Sequence, residues 1–235
     1  NNVVNHMDNL IDSLKHIRSL LSEDGTFVFE QPYWLDTIVT KRYDQIYHEH
    51  ITYFTVAFAQ SLAKITNFSF YDFEIIEYHG KSLRLYFKKH SENNKFIKNQ
   101  KKILTQINIE KKNKLFDQFF YKKFMNLILI NRNNILRKIL EFKSKGFSII
   151  CIGAAAKSNT WLNFHKLDSS IITYITDRSV NKINKYTPTS RIKILDDKEI
   201  KKEKNPLIII LTWNIYSILK KKIMKINKSA KFLKV

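Results

Sequence analysis

Only one of the 235 residues is cysteine, so no disulfide framework can hold this chain together. A lone Cys151 fits a reducing compartment, and a cytoplasmic location is the expectation. The opening residues, Asn1 to His6, are polar and lead at once into a charged amphipathic stretch, unlike a secretory leader. No apolar run approaches the roughly 20 residues that a membrane span needs. The longest, residues 206–211, is strand-sized, so no membrane partner is expected. The spaced glycines of a G-x-G-x-x-G nucleotide turn are missing as well. Residues 91–145 contain neither glycine nor proline.

What the chain has in abundance is positive charge, a formal +20. A nucleic-acid or acidic-membrane partner is one reading of it. Lysine greatly outnumbers arginine, however, and asparagine and isoleucine are plentiful too. That mix fits biased coding with lysine as surface filler, whereas readers of base edges favour the planar fork of arginine. No nucleic-acid partner is expected, although a positive field would attract a diphosphate.

Residues 8–21 carry apolar side chains at helical spacing, at Leu10, Ile11, Leu14, Ile17, Leu20 and Leu21. Asp24-Gly25 ends that helix, and residues 26–30 read as a strand closed by Pro32. A short helix is expected near residues 56–66. Two strands follow, over 69–77 and 83–88, joined at His79-Gly80 and paired antiparallel at a sheet edge. Residues 91–145 read as one or two long helices ended by Gly146. Strands at 148–152, 171–176 and 206–212 then alternate with helices at 153–167 and 214–227. That alternation implies a parallel sheet with right-handed crossovers.

The densest ionisable cluster is Tyr47-His48-Glu49-His50, followed by Tyr53. It admits a metal site, a general-base site or a satisfied polar turn. Metal is disfavoured, because a zinc helix places its histidines at i and i+4, and His48 and His50 are two apart. Histidine titrates near neutrality, which suits a base oriented by a neighbouring carboxylate or phenol. Gly153-Ala154-Ala155-Ala156-Lys157 forms a second signal at a strand-to-helix turn, where exposed N–H groups suit a phosphate. Asp177 ends the next strand, about where a dinucleotide-binding fold meets a ribose. A plain tight turn explains the same residues. Thr212-Trp213-Asn214 ends an apolar strand at the edge where such sheets bind ligands. An N-cap by Thr212 or Asn214, with Trp213 in the core, is the alternative.

In combination these segments resemble one family, the S-adenosylmethionine-dependent C-methyltransferases of nucleotide-linked deoxysugars. The resemblance rests on residues 2–8 (NVVNHMD), 25–32 (GTFVFEQP), 43–54 (YDQIYHEHITYF), 79–84 (HGKSLR), 153–163 (GAAAKSNTWLN), 177–194 and Trp213-Asn214. Lys81 and Thr189 stand where the family carries glycine. The resemblance implies an α/β chain. Its parts are the C-terminal half of a class I (Rossmann-like) methyltransferase domain over residues 1–90, a helical connector over 91–146, and a second Rossmann-like, substrate-binding domain over 147–235. It further implies His50 as catalytic base, Tyr47 and Glu49 as sugar-positioning groups, and His6 in a segment facing the sugar. His79, Ser82, Arg84, Gly153, Lys157, Asn159, Thr160, Asp177 and Asn214 are the implied substrate-binding residues, and the partner is a nucleotide-diphosphate sugar bearing a 4-keto group. The cofactor is S-adenosylmethionine, held by a Gly-rich segment that these residues do not contain. Zinc belongs to a small N-terminal domain, so no metal ligands are expected here; most of the donor site is expected in that missing part, its residues in this chain are left unassigned, and the chain is read as a fragment. Rival readings are a non-catalytic nucleotide-sugar-binding module, an NAD-binding protein built on Gly153 and Asp177, a basic RNA-binding protein, and an O- or N-methyltransferase.

Overall fold

The structure, a computed structural model, describes residues 1–77, 80–89 and 99–235. They divide into two compact units. One comprises residues 1–42 and 48–123, the other residues 43–47 and 124–235.

In the first unit a 3-10 turn, Val4–His6, precedes helix α1, Leu10–Leu20. Of the apolar face expected for α1, Leu14 is fully buried, while Ile11 and Leu20 are exposed. Strand β1 (Thr26–Pro32), helix α2 (Trp34–Val39), helix α3 (Val56–Ile65), strands β2 (Phe68–Glu77) and β3 (Lys81–Lys89), and helix α4 (Gln100–Lys112) follow. The three strands form an antiparallel sheet in the order β1-β3-β2. The expected β2–β3 pairing is thus present, with β2 at an edge and β3 central. Side chains alternate across a strand, so Leu83, Leu85 and Phe87 all leave one face of β3 and are fully buried. Phe29 meets Phe54 and Phe87 edge-to-face, at 5.8 and 5.2 Å between ring centres. Burying each such ring stabilises the fold by about 1.5–3 kcal/mol.

The second unit contains the 3-10 turn Tyr43–Gln45, and the division between units falls inside helix α5, Gln118–Ser144. Strand β4 (Ser148–Ile152), helix α6 (Ala156–Phe164), strands β5 (Tyr174–Thr176), β6 (Ile194–Leu195) and β7 (Pro206–Ile210), helix α7 (Tyr216–Ile226) and strand β8 (Lys231–Leu233) complete it. The five strands are all parallel, in the order β6-β5-β4-β7-β8. Continuous apolar runs in β4 and β7 explain why both sheet faces are covered. Ile149, Cys151, Leu207 and Ile209 face a cluster that takes in Ile135 and Ile139 of α5 and Trp161 and Leu162 of α6. Ile150, Ile152, Ile208 and Ile210 face Leu219 and Ile223 of α7. The elements differ from the sequence reading in several places, among them helix α2 of the first unit, which was not expected. Strand β5 starts three residues later than expected, and β6 and β8 were not expected at all. Their two- and three-residue lengths carry no readable period.

Candidate functional site

Within the first unit, the backbone carbonyl of Asn5 accepts hydrogen bonds from the amides of Ile51 (2.9 Å) and Thr52 (3.2 Å). This ties the loop after the 3-10 turn at residues 43–45 to the turn that carries His6. The imidazoles of His6 and His50 therefore meet edge-to-face, 5.1 Å apart and inclined by 76°. Tyr53 lies 6.5 Å from His50, and its ring packs on Trp34 at 4.5 Å. Burial raises the Tyr53 phenol, so it stays protonated and can donate a hydrogen bond. The indole N–H of Trp34 donates to the Tyr121 hydroxyl (2.9 Å), which donates in turn to the Leu115 carbonyl. Of the four-residue motif, Tyr47 and His50 are half-buried and His48 and Glu49 are exposed. Tyr47 belongs by its contacts to the second unit. Two imidazoles and a protonated phenol beside one another make a group able to take a proton and to hydrogen-bond an oxygen.

Of the expected sugar-turn residues, His79 lies outside the described ones. Ser82 is buried. Arg84 sits mid-strand in β3, where its guanidinium pairs with Glu30 across one edge (2.6 Å) and Glu74 across the other (3.1 Å). Gly80 has φ +96, and a Cβ there would lie 2.1 Å from Nη1 of Arg42. Arg42 and the Lys81 amide both donate to Asp36 (3.1 and 3.2 Å), which pins this turn beside α2.

In the second unit the turn after β4 is held from several sides. Gly153 has φ +94, and an added Cβ would meet Cγ2 of Thr212 at 2.5 Å. The Asp177 carboxylate accepts from the Ala154 amide (2.9 Å) and from the Ser179 amide (2.9 Å). Lys182 bridges the Ala154 carbonyl (2.9 Å) and that carboxylate (3.4 Å). Asp177 thus closes the turn it was expected to accompany. The Lys157 ammonium donates to Oδ1 of Asn214 (2.8 Å) and lies 4.2 Å over the Trp213 ring. Trp213 is not in the core, and neither Thr212 nor Asn214 caps a helix through its side chain. Instead the Trp213 indole donates to the buried Asp44 carboxylate (2.8 Å). Asn159 and Thr160 stand half-buried on α6. The Asn159 side-chain oxygen, like the hydroxyls of Ser158 and Thr212, is buried without a hydrogen-bond partner.

Three features escaped the sequence reading. The Asp44–Trp213 bond joins positions far apart in the chain. Glu110, on α4, is wholly buried and caps α3. Its carboxylate accepts from the amides of Val56 (2.6 Å) and Ala57 (3.0 Å) and from the Tyr33 hydroxyl (2.9 Å). Nothing in its lysine-rich neighbourhood signals that role. Finally, burial pushes the His165 imidazole down from 6.5 to about 4, against the raising effect of its bond to the Trp161 carbonyl. That carbonyl can only accept, so Nδ1 carries the proton and Nε2 faces the Tyr43 hydroxyl (3.4 Å). Among the described residues, no group of three or more His, Cys, Asp or Glu side chains is placed to hold a metal ion. No described helix is long and apolar enough to cross a membrane.

Residues 77–234 match the family described as the C-methyltransferase C-terminal domain. The chain is also 22% identical, over 209 residues, to "C-methyltransferase NovU" of Streptomyces niveus. That alignment covers 89% of this chain and 49% of the other, so the chain spans about half the length of the curated relative it matches. The family match takes in two thirds of the sequence, and the chain belongs to the C-methyltransferase C-terminal domain family.

Proposed function

We propose that the protein to which this chain belongs is an S-adenosylmethionine-dependent C-methyltransferase acting on a nucleotide-diphosphate sugar with a 4-keto group. The observation that carries the reading is the His6–His50 pair, because methylating the carbon beside a ketone requires a base that removes a proton from carbon, a step that methylating oxygen or nitrogen does not include. The hydrogen on the carbon beside a ketone can be removed at neutral pH if an imidazole accepts it and a donor stabilises the oxygen that gains the electron pair. His50 takes that proton. His6 and Tyr53 surround the base, and Tyr47 and Glu49 hydrogen-bond the sugar hydroxyls. The resulting enolate carbon is then able to accept a methyl group.

The described residues do not fit the methyl donor. The single glycine at a strand-to-helix turn is Gly153, and the Asp177 carboxylate beside it is already engaged by two backbone amides. The Gly153 turn is therefore read as a turn for the acceptor and not for the donor. The second unit serves the acceptor. The turn at Gly153 and the first turn of α6, with Lys157, Asn159, Thr160 and Asn214, hold the diphosphate and sugar.

Calorimetric titration with thymidine-, uridine- and guanosine-diphosphate sugars, and separately with S-adenosylmethionine, tests this. Binding of a sugar nucleotide but not of the donor is the expected result, and binding of no sugar nucleotide overturns it. In the complete enzyme, His50→Asn is expected to abolish solvent-deuterium exchange at the acceptor carbon. Retained exchange removes His50 from the role of base.

A further inference from the structure

Residues 43–47 belong by their contacts to the second unit, although the residues on either side of them belong to the first. Contacts of Tyr43 and Asp44 hold this segment there. The Tyr43 ring packs against Phe164 of α6, 4.9 Å between centres, and joins the apolar cluster of the parallel sheet. One residue on, Asp44 is 6% exposed, and its carboxylate accepts the indole N–H of Trp213 at 2.8 Å. Indole nitrogen is a donor only, and a buried carboxylate is costly to leave short of donors, so this bond is directional and demanding. Trp213 is itself fixed. Lys157 lies 4.2 Å over its ring and bonds the side chain of the adjacent Asn214 at 2.8 Å. Three stretches distant in sequence, at 43–47, 153–157 and 212–214, are thereby tied within one unit.

We infer that the Asp44–Trp213 bond is a positioning device that fixes the 43–47 segment so that Tyr47 is presented to the sugar of a nucleotide-diphosphate sugar. The inference rests on the acceptor reading given above. Asp44 and Trp213 touch no reacting atom in this arrangement. They act through Tyr47, which lies three residues beyond Asp44, past the end of the 3-10 turn. Lys157 links the device to the turn that receives the diphosphate, so the sugar and the diphosphate are read by parts of one connected frame.

Hydrogen exchange on the ligand-free 235-residue chain tests the clip by itself. Trp213→Phe keeps an aromatic ring under Lys157 but removes the donor. Peptides over residues 43–47 are expected to exchange about tenfold faster, the effect of losing roughly 1.4 kcal/mol of local stability. Peptides over β4 should be unchanged. Asp44→Asn keeps an acceptor oxygen in the same volume and is expected to retain slow exchange, which guards against a Trp213 variant that misfolds. Calorimetry then reads the role. Trp213→Phe and Tyr47→Phe should each weaken a thymidine-diphosphate sugar about tenfold and leave thymidine diphosphate alone unaffected, and the double variant should be no weaker than either. Unchanged exchange in Trp213→Phe overturns the clip. Faster exchange with equal loss of both ligands makes the bond merely structural and overturns the positioning role. If the unaltered chain binds no sugar nucleotide, the acceptor reading falls and the sugar-positioning role with it, while the exchange result still decides whether the clip exists.

Discussion

His6 and His50 lie far apart in sequence, yet their rings meet at 5.1 Å because one carbonyl, that of Asn5, accepts two amides of the loop following His50. The contact separates two roles for His6. His6→Phe keeps edge-to-face packing against His50 but removes the ring nitrogens, and His6→Ala removes both. If His6 hydrogen-bonds the sugar, both variants of the complete enzyme should lose about 10²-fold or more in acceptor-carbon exchange. Full activity in His6→Phe with loss in His6→Ala would make His6 a packing support for His50.

Glu110 commits both carboxylate oxygens to donors, two backbone amides at the start of α3 and the Tyr33 hydroxyl. In Glu110→Gln one oxygen becomes an NH₂ group that must face a donor. The loss of charge at the helix N-terminus adds to this. We expect a destabilisation of about 2 kcal/mol, read as a lower urea midpoint with unchanged slope. An unchanged midpoint would show that α3 is capped by other means.

Gly153→Ala forces a side chain onto a backbone at φ +94 and against the Thr212 methyl. Together these should cost about 2–4 kcal/mol. Thr212→Ser removes the methyl but not the backbone strain, so in the Gly153→Ala background it should recover part of the loss. A double-mutant cycle showing no coupling would place the whole effect on the backbone.

Thr189 has a φ of +64. A β-branched residue is strained in that region, and Thr189 is exposed. Thr189→Gly should therefore stabilise the chain by about 1 kcal/mol without loss of packing. A lower melting temperature in the variant would contradict the assigned strain.

His165 stays neutral in the folded chain down to about pH 4, whereas in the unfolded chain it takes up a proton near 6.5. Between those values the unfolded state binds the extra proton, so stability falls as pH is lowered from about 6.5 towards 4. The contribution is on the order of 2–3 kcal/mol. His165→Gln should have a flatter stability profile than the unaltered chain across that window and the same profile above pH 7. Parallel profiles throughout would mean that His165 titrates normally when folded.

Much of the architecture is legible in the sequence because it depends on local pattern. The apolar runs of β4 and β7 fit a sheet covered on both faces, with β7 buried end to end and β4 buried from Ile149 onward. The strand expected over 83–88 is present within β3, and Leu83, Leu85 and Phe87 form its buried face. Gly146 falls just after α5 ends, whereas α1 ends at Leu20 and Gly25 instead stands immediately before β1. Strands β6 and β8 are set by pairing with a neighbour, and two or three residues hold too little pattern to announce it.

The candidate site divides along the same line. Its residue types stand out in the sequence at 47–50, 153–157 and 212–214, because imidazoles, small residues at a turn and polar groups after an apolar strand are unusual locally. Tertiary structure alone decided what each meets. It set His6 beside His50, engaged Arg84 between two strands, turned Asp177 onto the Ala154 amide of the turn after β4 and gave Trp213 to Asp44 rather than to the core. Each outcome is a contact between chain segments far apart in sequence, and a spacing rule describes only neighbours on one element. A buried carboxylate such as Glu110 carries no mark in its own segment, because its partners are backbone amides that every residue possesses and only the fold brings within reach.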